Sequence, residues 1–155
     1  MNAPSAEELF VRGSELFERG EMQEALTHFR AAHHRDATNA RYRSYFGVCL
    51  GLAERQFEQG RDLCRSAVKQ EFFNPDLYCN LARIHLAFGF KSEGVRFLRR
   101  GQMIDPANVS IACELRSLGL RESPVLQFLP RRHALNRWLG AARHVIARRR
   151  PFATA

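Results

Sequence analysis

The chain has 155 residues, 45% of them hydrophobic and 26% charged, which is the composition of one compact domain with its own core. It contains no apolar run near the roughly 20 residues that cross a bilayer, and its N-terminal segment has neither the basic start nor the apolar stretch of a signal peptide, so we expect a cytoplasmic protein. The net charge of +8 is uneven, because residues 121–155 contain eight Arg and one Glu whereas residues 1–24 contain six Glu and two Arg.

The sequence repeats itself with a period of about 34 residues. Aligning Gly20 with Gly89 divides most of the chain into three units, residues 6–39, 40–74 and 75–108. A period of this length is typical of stacked helical repeats, in which each unit buries its apolar side against its neighbours.

The first unit has the pattern of two helices joined by a tight turn. Gly13 and Ala25 are small residues at its eighth and twentieth positions, and Phe29 is a large residue at its twenty-fourth. Small residues let two helices approach closely, and the large side chain fills the space beside them. The capping-box pattern over residues 5–8 predicts the start of the first helix, and Gly20 suits a left-handed helix end.

The third unit repeats these features, while the middle unit departs from them. Asn74 and Pro75 supply an N-cap and a first-turn proline to the third unit, and Gly89 supplies its turn. The middle unit keeps Gly47 at the eighth position but lacks a turn glycine, and it needs one extra residue near residues 54–55 to stay in register. The sequence therefore predicts the helices of the middle unit but not the geometry of its turn.

A further helix is predicted over residues 110–118, where Ile111, Leu115 and Leu118 have helical spacing. No partner helix can follow directly, because Ser123 and Pro124 come next. We expect this half-repeat to cap the open end of the stack, so that the solenoid domain covers residues 1–119.

Residues 120–155 are predicted to form an apolar connector and a basic amphipathic helix. Apolar residues recur every three or four positions over residues 135–146 and include the single tryptophan, Trp138. The basic surface beside this stripe comprises Arg137, Arg143 and Arg148. Such a helix can cover the repeats, enter their groove, or bind an anionic membrane or nucleic acid. The acidic N-terminal region of a second copy is a further candidate partner for it.

The three units resemble the tetratricopeptide repeat (TPR) family, which has the same period and the same small and large positions. The resemblance covers residues 6–108 and implies an all-α, right-handed solenoid of three helix pairs. Members of this family bind a peptide or helix of another protein in a concave groove lined by the first helix of each repeat. Transferred by position, the implied groove residues are Glu7, Phe10, Ser14, Phe17, Arg41, Ser44, Val48, Leu52, Cys79, Arg83 and Leu86.

The composition of this implied groove favours an apolar anchor. Family members that hold the acidic C-termini of heat-shock chaperones use Lys and Asn at the fifth and ninth positions, whereas here only Arg83 supplies a matching charge. We therefore expect apolar residues of the groove to hold the partner. An alternative is that some of them only seal the curved face. The expected anchor residues are Phe10, Phe17, Val48, Leu52 and Leu86.

No catalytic, cofactor or metal motif accompanies these repeats. The sequence lacks a phosphate-binding loop, a nucleophile elbow and a zinc-binding HExxH helix, so we expect neither an enzyme nor a cofactor. Its four cysteines form no CxxC pair and are expected to be reduced and mostly packed thiols. His33 and His34 point to different helix faces and should not bind a metal together, and His85 is expected to be buried.

Three functions fit this sequence. The first is an adaptor or scaffold that binds another protein, as the TPR resemblance implies. The second is a chaperone similar to the TPR chaperones of type III secretion translocators, although a sequence pI near 10.2 fits that group poorly. The third is binding of anionic lipid or nucleic acid through residues 120–155.

Overall fold

The computed structural model describes residues 3–119 of the chain. In this part all regular secondary structure is helical, which confirms the all-α prediction. The helices are α1 (Ala6–Glu18), α2 (Met22–Arg35), α3 (Ala40–Ala53), α4 (Phe57–Gln70), α5 (Pro75–Ala87), α6 (Lys91–Ile104) and α7 (Val109–Ser117). None of them is long and apolar enough to cross a membrane. The predicted connector and basic helix, with Arg137, Arg143 and Arg148, lie outside the described residues.

The first helix of each predicted unit begins where the repeat pattern begins. Helix α1 starts behind a capping box, in which the Ser5 hydroxyl accepts from the Glu8 amide at 3.1 Å and the Ser5 amide donates to the Glu8 carboxylate at 2.7 Å. Helices α3, α5 and α7 are each capped by an asparagine side chain, from Asn39, Asn74 and Asn108. These caps satisfy backbone N–H groups that have no partner within the helix.

The turn inside each helix pair uses one residue with positive φ. In the first and third pairs this residue is glycine, Gly20 at 81° and Gly89 at 85°. In the middle pair Arg55 takes the same place at 59°, and α3 has 14 residues where α1 and α5 have 13. The extra residue thus lengthens α3. The left-handed conformation costs a non-glycine residue about 1–2 kcal/mol. The guanidinium of Arg55, which lies 4.5 Å from the centroid of the Phe88 ring, offsets part of that cost.

Small residues bring the two helices of each pair into close contact. A Cβ added to Gly60 would lie 2.5 Å from the carbonyl oxygen of Gly47, so α3 and α4 meet backbone to backbone. A Cβ on Gly13 would lie 2.8 Å from the ring of Phe29 in α2. The predicted pairing of small residues with a large neighbour is therefore present in the structure.

The helix pairs stack in chain order, and α7 covers the end of the stack. Helix α3 packs against α2, α4 and α5, while α7 packs against α5 and α6. Fully buried side chains from successive helices, such as Phe29 of α2, Val48 of α3 and Cys64 of α4, form a continuous core. At the end of the stack, Ile111 of α7 is buried against Gly101 of α6. Helix α7 thus occupies the place expected for the capping helix.

Candidate functional site

The implied groove residues lie on α1, α3 and α5, whose shared side we call the first-helix face. Four of these residues are buried. The exposed fraction is 2% for Phe10, 0% for Ser44 and Val48, and 1% for Cys79. Phe10 and Val48 were expected to anchor a partner, but in this structure their side chains offer no surface for one. The alternative interpretation, that apolar residues seal this face, describes both of them.

Phe10 is buried because it lies at the centre of an aromatic cluster. Its ring centroid is 5.4 Å from that of Phe29 and 5.1 Å from those of Tyr42 and Tyr45. The guanidinium of Arg41 covers the remaining side, at 4.3 Å from the ring centroid. Tilted and edge-to-face aromatic contacts of this kind add to the free energy gained by burial, so Phe10 holds α1 onto α3.

Ser44 is buried because it belongs to a polar network between helices. Its hydroxyl accepts a hydrogen bond from the Asn80 side chain at 3.2 Å, and its carbonyl oxygen accepts one from the Cys64 thiol at 3.1 Å. The Asn80 oxygen in turn accepts from the guanidinium of Arg83 at 3.3 Å. The network links α3, α4 and α5 and fixes the position of Arg83 on the first-helix face.

Arg83 connects this network to the last helix. Its guanidinium donates to the Glu114 carboxylate of α7 at 2.7 Å and lies 5.3 Å from the centroid of the Phe17 ring. The Phe17 ring also contacts Tyr45, with a centroid distance of 5.7 Å. Burial, followed by the charge of Asp76, raises the pKa of Tyr45, whose hydroxyl therefore stays protonated. Phe17, Tyr45, Arg83 and Glu114 form a half-buried aromatic and charged strip across four helices, α1, α3, α5 and α7.

The remaining groove residues are accessible to different degrees. Glu7 and Arg41 are exposed, while Ser14, Leu52 and Leu86 are half-buried. The Glu7 carboxylate accepts a hydrogen bond from the Tyr42 hydroxyl at 2.6 Å, which is the main reason why the pKa of Tyr42 is raised to about 12. The Ser14 hydroxyl donates to its own helix, at the carbonyl oxygen of Phe10.

Leu86 faces its own helix pair more than the groove. A Cβ added to Gly94 would lie 2.6 Å from Cγ of Leu86, so this side chain fills the gap beside Gly94 in α6. Among the expected anchors, Leu52 and Phe17 therefore retain the clearest access to the first-helix face.

The sequence interpretation missed Tyr45, Asn80 and Glu114. Each is the sixth residue of its helix, Tyr45 in α3, Asn80 in α5 and Glu114 in α7. The signal in the sequence was a polar or aromatic residue at this position in α3, α5 and α7, whereas α1 has Val11 there. In these three helices the sixth residue belongs to the first-helix face, together with the positions transferred from the TPR pattern.

The cysteines and histidines do not form a reactive or metal-binding site in residues 3–119. No group of three or more potential ligands comes together there. Cys49, Cys64 and Cys79 are buried, and desolvation raises the pKa of the first two thiols to about 12 and of the third to about 11. Thiols with such pKa values stay protonated at neutral pH and act as packing residues. Cys113 is exposed.

Comparison with known proteins shows the fold of the described residues. Neither a scan against family models nor a search of curated proteins found a significant match. Among solved structures, the Arabidopsis OM64 TPR domain has 16% identity and a TM-score of 0.59, and the match covers 74% of this chain and 94% of that one. The first TPR of Spaghetti (RPAP3), bound to an HSP90 peptide, has 18% identity, a TM-score of 0.58 and coverages of 77% and 94%.

A third similar structure is PcrH in complex with the chaperone binding region of PopB. It has 19% identity and a TM-score of 0.55, and the match covers 77% of this chain and 98% of that one. At these identities the comparisons establish the fold alone. The described residues have the TPR fold, in agreement with the resemblance seen in the sequence.

Proposed function

We propose that this TPR-fold chain is a non-enzymatic interaction module that binds a segment of a partner protein along the first-helix face. The observation that carries the proposal is the concentration of arginine and aromatic side chains there. Arg41 and Arg83 each lie over a phenylalanine ring, and Tyr45 joins the two aromatic groups. Arginine, tyrosine and other aromatic residues supply most of the binding free energy in protein interfaces.

The charges on this face favour a mainly apolar partner segment over an acidic C-terminus. Arg83 is already paired with Glu114, so its charge is largely satisfied within the protein. The Glu7 carboxylate, which accepts a hydrogen bond from the Tyr42 hydroxyl, adds a negative charge to this face. A segment that places apolar side chains against Phe17 and Leu52 fits this surface, in the helix-in-groove or extended-peptide manner.

Site-specific crosslinking tests this proposal. A photoreactive benzoylphenylalanine at Arg41 should capture a partner during expression in the native host, and mass spectrometry should map the captured segment. The matched control carries the same group at Arg99, which is exposed on α6. A synthetic peptide of the mapped segment should then bind the purified protein, and Leu52→Ala should weaken its affinity by about tenfold. Equal capture from both positions, or a peptide affinity unaffected by Leu52→Ala, would contradict the assignment.

A second candidate function is that of a dedicated chaperone. It is favoured by the structural similarity to PcrH bound to the chaperone binding region of PopB, which covers nearly all of that chain. In this case the crosslinked partner should be insoluble when expressed alone and soluble when co-expressed with this chain. A partner that is soluble by itself would favour the adaptor function.

A further inference from the structure

A basic cleft lies between α4 and α6, with α5 as its floor. Its volume is about 520 Å³, within the range of about 300–1,000 Å³ that is usual for ligand sites. Five cations line it, and none of the described residues that line it is acidic. The cations are Arg61, Arg65 and Lys69 on α4 and Arg96 and Arg100 on α6. The cleft is formed by second helices of the repeats and is separate from the first-helix face.

Most of this positive charge is not balanced inside the described part of the chain. Arg61 pairs with Glu58 and Asp62. The other four cations form no ion pair with any residue between 3 and 119. Cations that face one another across a cleft repel, and an anion bound between them removes this repulsion. The cleft is therefore suited to a ligand with more than one negative charge.

Apart from His85, the residues that form the inner surface of the cleft are apolar or aromatic. Leu81 and Tyr78 of α5 are buried beneath it, and Phe97 of α6 is half-buried. The guanidinium of Arg96 lies 5.4 Å from the centroid of the Phe97 ring, and that of Arg100 lies 5.8 Å from the centroid of the Tyr78 ring. A ligand would thus meet cations at the rim and, at the floor, the half-buried side chains of Val68 and Phe97.

The spacing of the cations matches that of a helical ligand. Arg65 and Lys69 are four residues apart on one wall, as are Arg96 and Arg100 on the other, which corresponds to a rise of about 6 Å along each helix. Carboxylates four residues apart on a helix have the same separation, and an apolar side chain between them would face the floor. We propose that this cleft binds an acidic amphipathic helix of a partner protein, at a second site distinct from the first-helix face.

The rings in the cleft favour a peptide over a nucleic acid. Proteins that bind single strands stack the bases on open aromatic faces. Here Tyr78 is buried and Phe97 is half-buried, so only Phe72, at one end of the cleft, exposes most of its ring. Apolar side chains of a peptide can contact the half-buried Val68 and Phe97, whereas bases have no continuous stacking surface.

The test uses the full chain and a fluorescein-labelled helical peptide in which pairs of Glu, four residues apart, flank Leu. Fluorescence anisotropy compares the wild type with the double variant R65E/R100E, which reverses one charge on each wall. The matched control, K91E/R99E, makes the same change in net charge at exposed positions of α6 outside the cleft. Circular dichroism checks that both variants fold.

We expect R65E/R100E to weaken peptide binding by about tenfold or more, and K91E/R99E to change it by less than about threefold. A peptide with Gln in place of Glu should also bind at least about tenfold more weakly. An equal loss in both variants would overturn the proposal by showing attraction to overall charge. Unchanged binding by R65E/R100E would overturn it as well. So would a single-stranded oligonucleotide that binds more tightly than the peptide and depends on the same two arginines.

Discussion

Replacing Gly60 by alanine places a methyl group between two helix backbones. The added Cβ would lie 2.5 Å from the carbonyl oxygen of Gly47 and 3.0 Å from the backbone nitrogen of Gly51. Backbone atoms inside a helix cannot turn aside as a side chain can, so α3 and α4 have to separate. The loss of packing between them should lower the free energy of unfolding.

The size of this effect follows from two opposing terms. Overpacking costs about 1–3 kcal/mol, and contact with backbone atoms places Gly60→Ala at the upper end. In the opposite direction, the higher helix propensity of alanine than of glycine stabilises the folded protein by about 1 kcal/mol. We therefore expect a net loss of about 2 kcal/mol, which corresponds to a fall in melting temperature of about 4–8 °C for a chain of this size.

The matched control is Gly94→Ala in the third pair. There the added Cβ would lie 2.6 Å and 2.7 Å from Cγ and Cδ2 of Leu86, side-chain atoms that can move by rotation. Its one backbone contact, with the carbonyl oxygen of Ala82 at 3.3 Å, is much less severe than that of Gly60. Its net change should stay within about 1 kcal/mol of zero, because relaxation of Leu86 limits the cost and helix preference offsets it. Urea unfolding followed by circular dichroism measures both variants. A Gly60→Ala protein as stable as the wild type would refute the close contact of α3 and α4.

Three further predictions concern single contacts. Tyr42→Phe removes the hydrogen bond to Glu7 and should cost about 1 kcal/mol near neutral pH. Because the hydrogen bond to Glu7, followed by burial, raises the pKa of Tyr42 from 10.0 to about 12, its proton stabilises the native state below pH 10, and this stability is lost as the pH rises through about 12. Urea unfolding over that interval should show a smaller fall for Tyr42→Phe, and an equal fall in both proteins would contradict the assignment. Glu114→Gln should cost about 1–2 kcal/mol, less than for a fully buried pair, because both partners are partly exposed. A double-mutant cycle with Arg83→Met should give a coupling of about 0.5 kcal/mol or more, and additive losses would exclude a direct interaction. Iodoacetamide should label Cys113 in the native protein and the three buried cysteines only after unfolding, and equal labelling by mass spectrometry would refute their burial.

The sequence predicted the helical repeat fold because the determining signals are local and recur. Small residues at fixed positions, such as Gly13 and Gly47, set the approach of paired helices, and each occurrence supports the others. The left-handed turns at Gly20 and Gly89 were predictable because glycine is the residue that adopts this conformation without strain. Agreement between these separate signals is what makes the assignment secure.

The turn at Arg55 was not predictable from its own residues. An arginine carries no local preference for positive φ, and the same segment could have formed a different connection. In the structure the positions of α3 and α4 are fixed by the contact between Gly47 and Gly60, and the chain between them has to reverse within a few residues. The packed helices thus impose on Arg55 the conformation that glycine adopts freely elsewhere.

The exposure of individual residues on the first-helix face was not predictable from their positions in the repeat, because exposure at a repeat position depends on the neighbouring helices. Position alone makes Phe10 a groove residue. Tyr45, on the adjacent first helix α3, packs on both Phe10 and Phe17, and together with Phe29 and Tyr42 it makes Phe10 a core residue. Glu114 likewise forms an ion pair with Arg83, whose position in the repeat alone would leave its charge available to a partner. Under the proposed function, access of a partner to Phe10 and Arg83 therefore depends on Tyr45 and Glu114, the sixth residues of the adjacent first helices, so that a change there would alter the accessible surface without changing a residue transferred from the TPR pattern.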